Sequence, residues 1–246
     1  IKICQWFLDK MDNKTWKVNK NRFIKKIPFL EASFCTTHPS SLKKINSKNL
    51  YFIPNPVDDT FENLNLYKNK NPNFDLFFAL SHGVHRGTLK KGKVDNRELF
   101  LKKLMMKNNE IKFNFYGIQN NQPIWAENFK KEISKSKMAL NLSQGNPLKF
   151  YSSDRIAQLI GNGILTFVDI KTKLNTLFTS KEVVFYKNID DLLNKIVKYK
   201  DNNNLRINTA KKGMLKYHRY MNSKKVASYI INKSCKINNN EKFFWE

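Results

Sequence analysis

The segment KFYSSDRIAQLIGNGILTFV (149–168) places hydroxyl, carboxylate and guanidinium side chains directly before a short apolar pattern. Apolar residues then recur at spacings of three and four, which is the periodicity of one buried helix face. These residues are Ile156, Leu159 and Ile160. Ser152 or Ser153 suits the N-cap of this helix, and Asp154 suits the positive end of its dipole. The segment therefore predicts a helix with polar side chains at its first turn.

The same helix start has the chemistry of an anion site. Backbone N–H groups, serine hydroxyls and the Arg155 guanidinium would donate hydrogen bonds toward one point, a combination that favours a diphosphate. We therefore predict that Ser152, Ser153 and Arg155 bind a diphosphate, with Asp154 beside them. The alternative is that Arg155 pairs with Asp154 or another carboxylate and only stabilises the helix start.

Strand-like and helix-like segments alternate through the middle of the chain. The strand-like runs are FDLFFAL (74–80), IKFNFYG (111–117), MALNLS (138–143), ILTFV (164–168) and VVFY (183–186). Stretches with helical spacing lie at 96–106, 124–136, 152–161 and 189–200. This alternation predicts an α/β fold, a doubly wound parallel sheet with helices on both faces. Ligands bind beyond the carboxyl ends of such strands, so the loops that follow the strands are the expected site.

The first part of the chain forms a separate unit. KICQWFLD and EASFCTTH predict two strands with a basic helix between them. LYFIPNPVDDTF (50–61) then runs from a strand into a Pro-Asn-Pro connection, which marks a domain boundary. At the other end, CKINNNEKFFWE predicts a loosely held tail whose aromatic residues could dock on the protein.

The formal net charge of +25 raises the question of a nucleic-acid or membrane partner. Only six of the 45 basic residues are arginine, and the lysines are spread along the whole chain. Base readout and bidentate phosphate contacts favour arginine. The charge therefore indicates a solvated lysine surface, with attraction to anionic membranes as a by-product, and no nucleic-acid partner is expected.

The cysteines and the hydropathy pattern indicate in which cellular compartment the protein is expected. Three cysteines lie far apart, which fits reduced thiols better than a disulfide framework. We find neither a basic-then-apolar leader nor an apolar run long enough to span a bilayer. We therefore expect a cytoplasmic protein, with peripheral contact to an anionic membrane left open.

Several segments resemble GT-B glycosyltransferases, in particular the CgeB-like group. IPNPVDDTF (53–61) resembles the interdomain segment of that family, and RIAQLIGNGILTFVD (155–169) resembles its Arg-x-x-Glu stretch and following strand. NRELFLKKL, FYG, SKMALNLS and EVVFYKNIDDLLNKI match in order and spacing. The resemblance implies that 1–55 is the end of the acceptor-side Rossmann-like domain. It implies a donor domain that binds the nucleotide sugar at 56–231 and a tail at 232–246.

The resemblance also assigns roles in the loop SHGVHRGTLKKGKVDNR (81–97). Arg86 and Lys91 match elements that contact the donor phosphates, and Gly83 belongs to the flexible backbone that lets N–H groups face an anion. Arg97 lies where CgeB-like sequences carry an arginine. A basic surface loop remains the alternative. His82 and His85 are spaced like a metal pair without a third ligand, so no metal site is predicted.

Two positions depart from the pattern of many retaining members, which carry two glutamates. The second falls on Gln158, which can still hydrogen-bond a ribose, and the first falls on Phe150, which cannot replace a carboxylate. Ser143 and Gln144 either face the sugar or satisfy a turn. Tyr116 either stacks on the nucleotide base or is a core aromatic residue.

The function implied is metal-independent transfer of a sugar from a nucleotide-sugar donor to an acceptor hydroxyl, in glycan or surface polysaccharide synthesis. No cofactor is expected, because the nucleotide sugar is a substrate. Two alternatives stay open at this point. One is a non-catalytic polyanion- or nucleic-acid-binding protein, and the other is a degenerate glycosyltransferase fold without activity.

Overall fold

The computed structural model describes residues 1–11, 17–42, 45, 47–80, 96–118, 121–238 and 240–246. Two all-parallel β-sheets organise this part of the chain. The first contains β1 (Cys4–Phe7), β2 (Ala32–Cys35) and β3 (Leu50–Phe52) in that order, and α1 (Lys17–Lys26) connects β1 to β2. The predicted strands and basic helix of the first unit are thus confirmed.

The second sheet has the order β5-β4-β6-β7-β8. Its strands are β4 (Phe74–Ala79), β5 (Phe113–Tyr116), β6 (Ser136–Asn141), β7 (Leu165–Asp169) and β8 (Val184–Tyr186). The helices that follow them are α2 (Asn96–Lys107), α3 (Ala126–Ile133), α4 (Arg155–Gly161), α5 (Ile189–Asp201), α6 (Asn203–Tyr220) and α7 (Ser223–Cys235). The strand order reverses between β4 and β6, so a ligand crevice is expected beyond the carboxyl ends of these two strands.

Strand β4 shows why the second sheet is buried on both faces. Leu76 and Phe78 pack in one hydrophobic cluster, and Phe77 and Ala79 pack in another on the opposite face. A continuous apolar run is typical of a parallel strand covered by helices on both sides. The structure therefore confirms the predicted α/β fold.

The chain crosses between the two sheets twice. Val57 lies on the first crossing and forms a parallel bridge with Asn222 on the second. Helix α7 then packs against β2, with Tyr229 in edge contact with Phe34. The predicted tail docks as well, because Trp245 is buried in the same cluster. Residues 223–246 therefore contact the first unit, and the domain boundaries themselves stay predictions.

Candidate functional site

A cleft of about 330 Å³ lies at the carboxyl end of β4. The start of α4, the segment that enters α3 and the linker after the first sheet form its other sides. It is lined by Phe61, Glu62, Ala79, Leu80, Ile124, Trp125, Ala126, Phe129, Lys130, Asp154, Arg155, Gln158 and Asn162. The predicted Asp154, Arg155 and Gln158 therefore meet in one cavity next to the β4–β6 reversal.

Arg155 is the buried cation of this cleft. Arg155 is only 8% exposed, and its guanidinium lies 4.8 Å from the Phe78 ring centroid. Its Nη1 donates a hydrogen bond to the Leu142 carbonyl at 3.1 Å. Within the described parts of the chain, no carboxylate forms an ion pair with it. Asp154 instead accepts a hydrogen bond from the Arg155 backbone N–H at 3.0 Å.

A second guanidinium acts on the first. Burial and then the positive charge of Arg97 lower the pKa of Arg155 to about 10, and the charges of Asp154 and Tyr151 oppose this shift. Arg97 lies in the first turn of α2, which follows β4 along the chain. The two positive charges repel each other in the free protein. A bound anion offsets this repulsion, so the pair favours anion binding.

The first unit contributes a carboxylate to the same region. Burial and the charge of Asp154 raise the pKa of Asp9, which follows β1. Burial and then the charges of Asp9 and Asp154 raise the pKa of Tyr151 to about 12. Lys10 donates a hydrogen bond to the Gln144 carbonyl at 2.6 Å, which ties the first unit to the loop after β6. The carboxyl ends of both sheets therefore face a common space.

The helix start differs from the sequence prediction in one respect. Asp154, and not Ser152 or Ser153, is the N-cap of α4. The Ser152 carbonyl accepts a hydrogen bond from the Asn55 side chain at 3.0 Å, which holds this segment outside the helix. The Ser153 hydroxyl is buried without a hydrogen-bond partner among the described residues.

The remaining predicted residues lie in several places. Ser143 is half-buried and Gln144 exposed in the loop after β6. The Tyr116 hydroxyl donates to Glu132 at 2.6 Å, and its ring packs near Phe77, outside the lining of the cleft. Trp125, which the sequence reasoning did not single out, lines the cleft and is 47% exposed. The sequence feature that could have indicated Trp125 is its position at the start of the predicted helical stretch, directly before α3.

The basic loop lies outside the described residues. Gly83, Arg86 and Lys91 fall there, as do His82 and His85, and their roles stay predictions. Among the residues that are described, no group of three or more His, Cys, Asp or Glu side chains is arranged to hold a metal ion. Over the same residues, no helix is both long and apolar enough to cross a membrane.

Two parallel sheets whose carboxyl ends face a common space, joined by a paired double crossing, define a GT-B fold. The solved structures agree. TarM of S. aureus, in complex with fondaparinux, α-GlcNAc-glycerol and UDP, matches with a TM-score of 0.64 at 13% identity, over 95% of this chain and 50% of TarM. HepE of Anabaena, in complex with UDP and glucose, matches with a TM-score of 0.66 at 9% identity, over 96% of this chain and 72% of HepE. The chain thus spans about half the length of TarM.

Sucrose-phosphate synthase of Thermosynechococcus elongatus also matches, with a TM-score of 0.57 at 11% identity, over 95% of this chain and 67% of that enzyme. No curated protein matches the chain in sequence. Residues 96–232, more than half of the chain, match the model of the glycosyl transferase-like family. The chain belongs to that family, and the CgeB-like subgroup stays a prediction.

Proposed function

We propose that the chain provides the donor site of a glycosyltransferase that moves a sugar from a nucleotide sugar to an acceptor hydroxyl. The observation that carries this proposal is the buried guanidinium of Arg155, which lies near Arg97. Among the described residues, no carboxylate forms an ion pair with Arg155 itself. Such a cation is costly to bury unless a ligand supplies the opposite charge. A diphosphate does so, because its oxygens accept the two parallel hydrogen bonds that a guanidinium donates.

The proposed role of the arginines follows from the negative charge that develops on the leaving group during sugar transfer. When the bond between sugar and diphosphate breaks, the leaving nucleoside diphosphate gains negative charge. Arg155 is held before the reaction begins by the Leu142 carbonyl and the Phe78 ring, so it stabilises this charge without reorganisation, and Arg97 adds a second positive charge. The predicted Arg86 and Lys91 would add to the same effect. These guanidiniums could replace a divalent cation, and we therefore propose transfer without a resident metal or cofactor.

The neighbours suggest the first nucleotide to examine. TarM and HepE are both in complex with UDP in their structures. We propose a uridine nucleotide as the donor and a glycan or another hydroxyl compound as the acceptor. The acceptor would enter from the side of Asp9, since that carboxyl group belongs to the first unit and lies near Asp154.

Calorimetric titration with UDP, GDP, ADP, CDP and TDP at moderate salt tests the donor site. We expect saturable binding of UDP that Arg155→Met abolishes. Arg206→Met is the matched control, because Arg206 is also a buried arginine but contacts the Lys137 carbonyl at the amino end of β6. Equal weak binding of all five nucleotides that disappears with added salt would leave the lysine surface as the explanation and overturn the proposal.

We also propose that the protein is cytoplasmic and contacts anionic membranes peripherally. Phe29 is 85% exposed just after α1, whose last turn carries the exposed Lys25 and Lys26. An exposed aromatic side chain beside lysines matches the interface of an anionic bilayer. Cosedimentation with phosphatidylserine vesicles tests this, and we expect Phe29→Ser to reduce the bound fraction. Equal binding to neutral vesicles would contradict it.

A further inference from the structure

The first unit holds the loop between β6 and α4, which belongs to the second unit, the part of the chain that builds the second sheet. The His38 backbone N–H donates to the Lys149 carbonyl at 3.0 Å, and the Lys149 N–H donates to the Ser41 hydroxyl at 3.1 Å. Earlier in the same loop, the Gln144 carbonyl accepts the hydrogen bond from Lys10. A rotation that separates the two units has to break these contacts. We call His38, Ser41 and Lys149 the latch.

Phe150, the residue after the latch lysine, has a strained backbone. Its φ is +60°, in the left-handed region that is unfavourable for a bulky residue. Its ring is in edge contact with the His38 ring at 5.0 Å and lies 5.1 Å from the Phe52 ring, and both partners belong to the first unit. Its N–H donates to the Thr172 carbonyl at 2.7 Å within the second unit. Such strain persists where the surroundings over-determine the residue, and here they come from both units.

The hydrogen bonds of the His38 ring require its neutral form. His38 is the N-cap of the 3₁₀ turn Pro39–Ser41, and its Nδ1 accepts the Ser40 backbone N–H at 3.1 Å. The Ser40 hydroxyl lies 2.8 Å from the same nitrogen. A protonated Nδ1 donates and cannot accept a hydrogen bond. Protonation of His38 therefore removes the cap of the turn that carries Ser41.

The groups packed around His38 also oppose its protonation. Among the described residues, Lys149 is the charged group that faces it from the second unit, and the rings of Phe52 and Phe150 cover it without charge. Burial and then the positive charge of Lys149 lower the pKa of His38. In the described parts of the chain, no carboxylate forms an ion pair with His38. Separation of the units removes both causes, so the separated form binds this proton more tightly than the latched form does.

We propose that His38 and Lys149 make the latch sensitive to pH, so that it holds the two units together at neutral pH and releases them in acid. At neutral pH His38 is uncharged, and the cap, the ring contact and the backbone hydrogen bonds are all formed. Below about pH 6.5, the usual pKa of histidine, protonation favours the separated form. The latched loop begins at Leu142, whose carbonyl accepts the Arg155 hydrogen bond. The latch itself does not depend on a nucleotide, whereas its effect on UDP binding rests on the proposed function.

Small-angle X-ray scattering of the full chain without ligand measures the separation of the units. We expect a radius of gyration of roughly 18 Å at about pH 8, as for a compact chain of this length, and a larger radius at about pH 5.5. His38→Asn should show no increase, because asparagine also caps a turn through its side-chain oxygen and does not titrate. His218→Gln is the matched control and should expand as the wild type does, since the His218 ring is hydrogen-bonded to the Gly161 carbonyl within the second unit.

Lys149→Met is a second variant that keeps both backbone hydrogen bonds of the latch. It removes the positive charge that faces His38, so it should expand less in acid than the wild type. An expansion equal to that of the wild type would overturn the role of Lys149.

Three results with the free protein would overturn the proposal. The first is an equal radius of the wild type at the two pH values. The second is an increase that His38→Asn retains, because another group then causes it. The third is a His38→Asn chain that is already expanded at about pH 8, because the ring contact and not the proton then holds the units.

Calorimetry with UDP on the same variants separates the latch from the proposed function. The affinity of the wild type should fall in acid, and that of His38→Asn should fall less. An equal fall in both would overturn the link between the latch and the donor site. No binding of UDP by the wild type at either pH would overturn the proposed uridine donor and leave the scattering result to decide on the latch.

Discussion

Replacing Arg155 with methionine should abolish nucleotide binding and at the same time leave the free protein equally or more stable. The guanidinium is buried, and its pKa falls from 12.5 to about 10. One pKa unit corresponds to about 1.4 kcal/mol, so burial of this charge and its repulsion by Arg97 together cost about 3 kcal/mol. At neutral pH the side chain is protonated in both the folded and unfolded states. The full cost is therefore present in the free protein, and it would decrease only above the folded-state pKa.

Two contacts offset part of this cost. The hydrogen bond to the Leu142 carbonyl and the contact with the Phe78 ring contribute on the order of 1 kcal/mol each. Methionine has a similar length and no charge, so Arg155→Met loses these contacts together with the burial cost. We expect a net increase in the free energy of unfolding of about 1 kcal/mol, or a few degrees in Tm for a chain of this size.

Urea unfolding with and without UDP measures both effects. In a hundredfold excess over Kd, UDP should stabilise the wild type by about 2.7 kcal/mol and the variant not at all. If Arg155→Met instead lowers the free energy of unfolding by 2 kcal/mol or more, Arg155 is a structural residue and the reasoning is refuted.

Three further predictions concern stability and chemistry. Gly117 has φ +77°, and an alanine Cβ there would lie 1.8 Å from the Leu80 carbonyl oxygen. Gly117→Ala should therefore lower the free energy of unfolding by at least about 3 kcal/mol, as measured by chemical denaturation. An unchanged free energy of unfolding would contradict the observed packing. The raised pKa of Asp9 means that the folded state binds its proton more tightly, so this group's contribution to stability falls as pH rises through that pKa. Asp9→Asn should therefore be more stable than the wild type at pH 7, with the difference disappearing in acid; a constant difference in Tm across pH would exclude this cause. EDTA should leave sugar transfer unchanged in a radiolabelled-sugar assay, and activity restored only by Mg²⁺ or Mn²⁺ would show a metal requirement.

The sequence predicts the second sheet well because its strands are continuous apolar runs. Helix α6 is the main element that was not predicted. The face that it buries combines the apolar Ala210, Met214 and Tyr217 with the small or polar Arg206, Thr209 and Gly213. A Cβ at Gly213 would lie 2.3 Å from the Glu182 carbonyl oxygen, so part of this helix packs through close backbone approach and its apolar stripe is interrupted. Hydrophobic periodicity is a weak signal for such a helix.

The sequence predicts only those residues of the candidate site that lie close together in one segment. Asp154, Arg155 and Gln158 follow each other on a short helix, and their spacing was enough to group them. Glu62 directly follows the motif at 53–61 and Trp125 lies in a segment without a motif, and only the tertiary fold brings both residues to the cleft. Tyr116 shows the converse, since its hydroxyl is bonded to Glu132 and its ring lies outside the cleft lining.

The double crossing also determines how the two sheets can move. The Val57 N–H donates to the Met221 carbonyl at 3.1 Å, and the Ser223 N–H donates to the Val57 carbonyl at 2.8 Å. Two covalent connections that are hydrogen-bonded side by side resist sliding and leave rotation about their common line as the easy motion. Such a rotation changes the width of the gap between Asp9 and Asp154 without separating the sheets. Cleavage of either connection alone by a protease would leave both halves of the molecule joined.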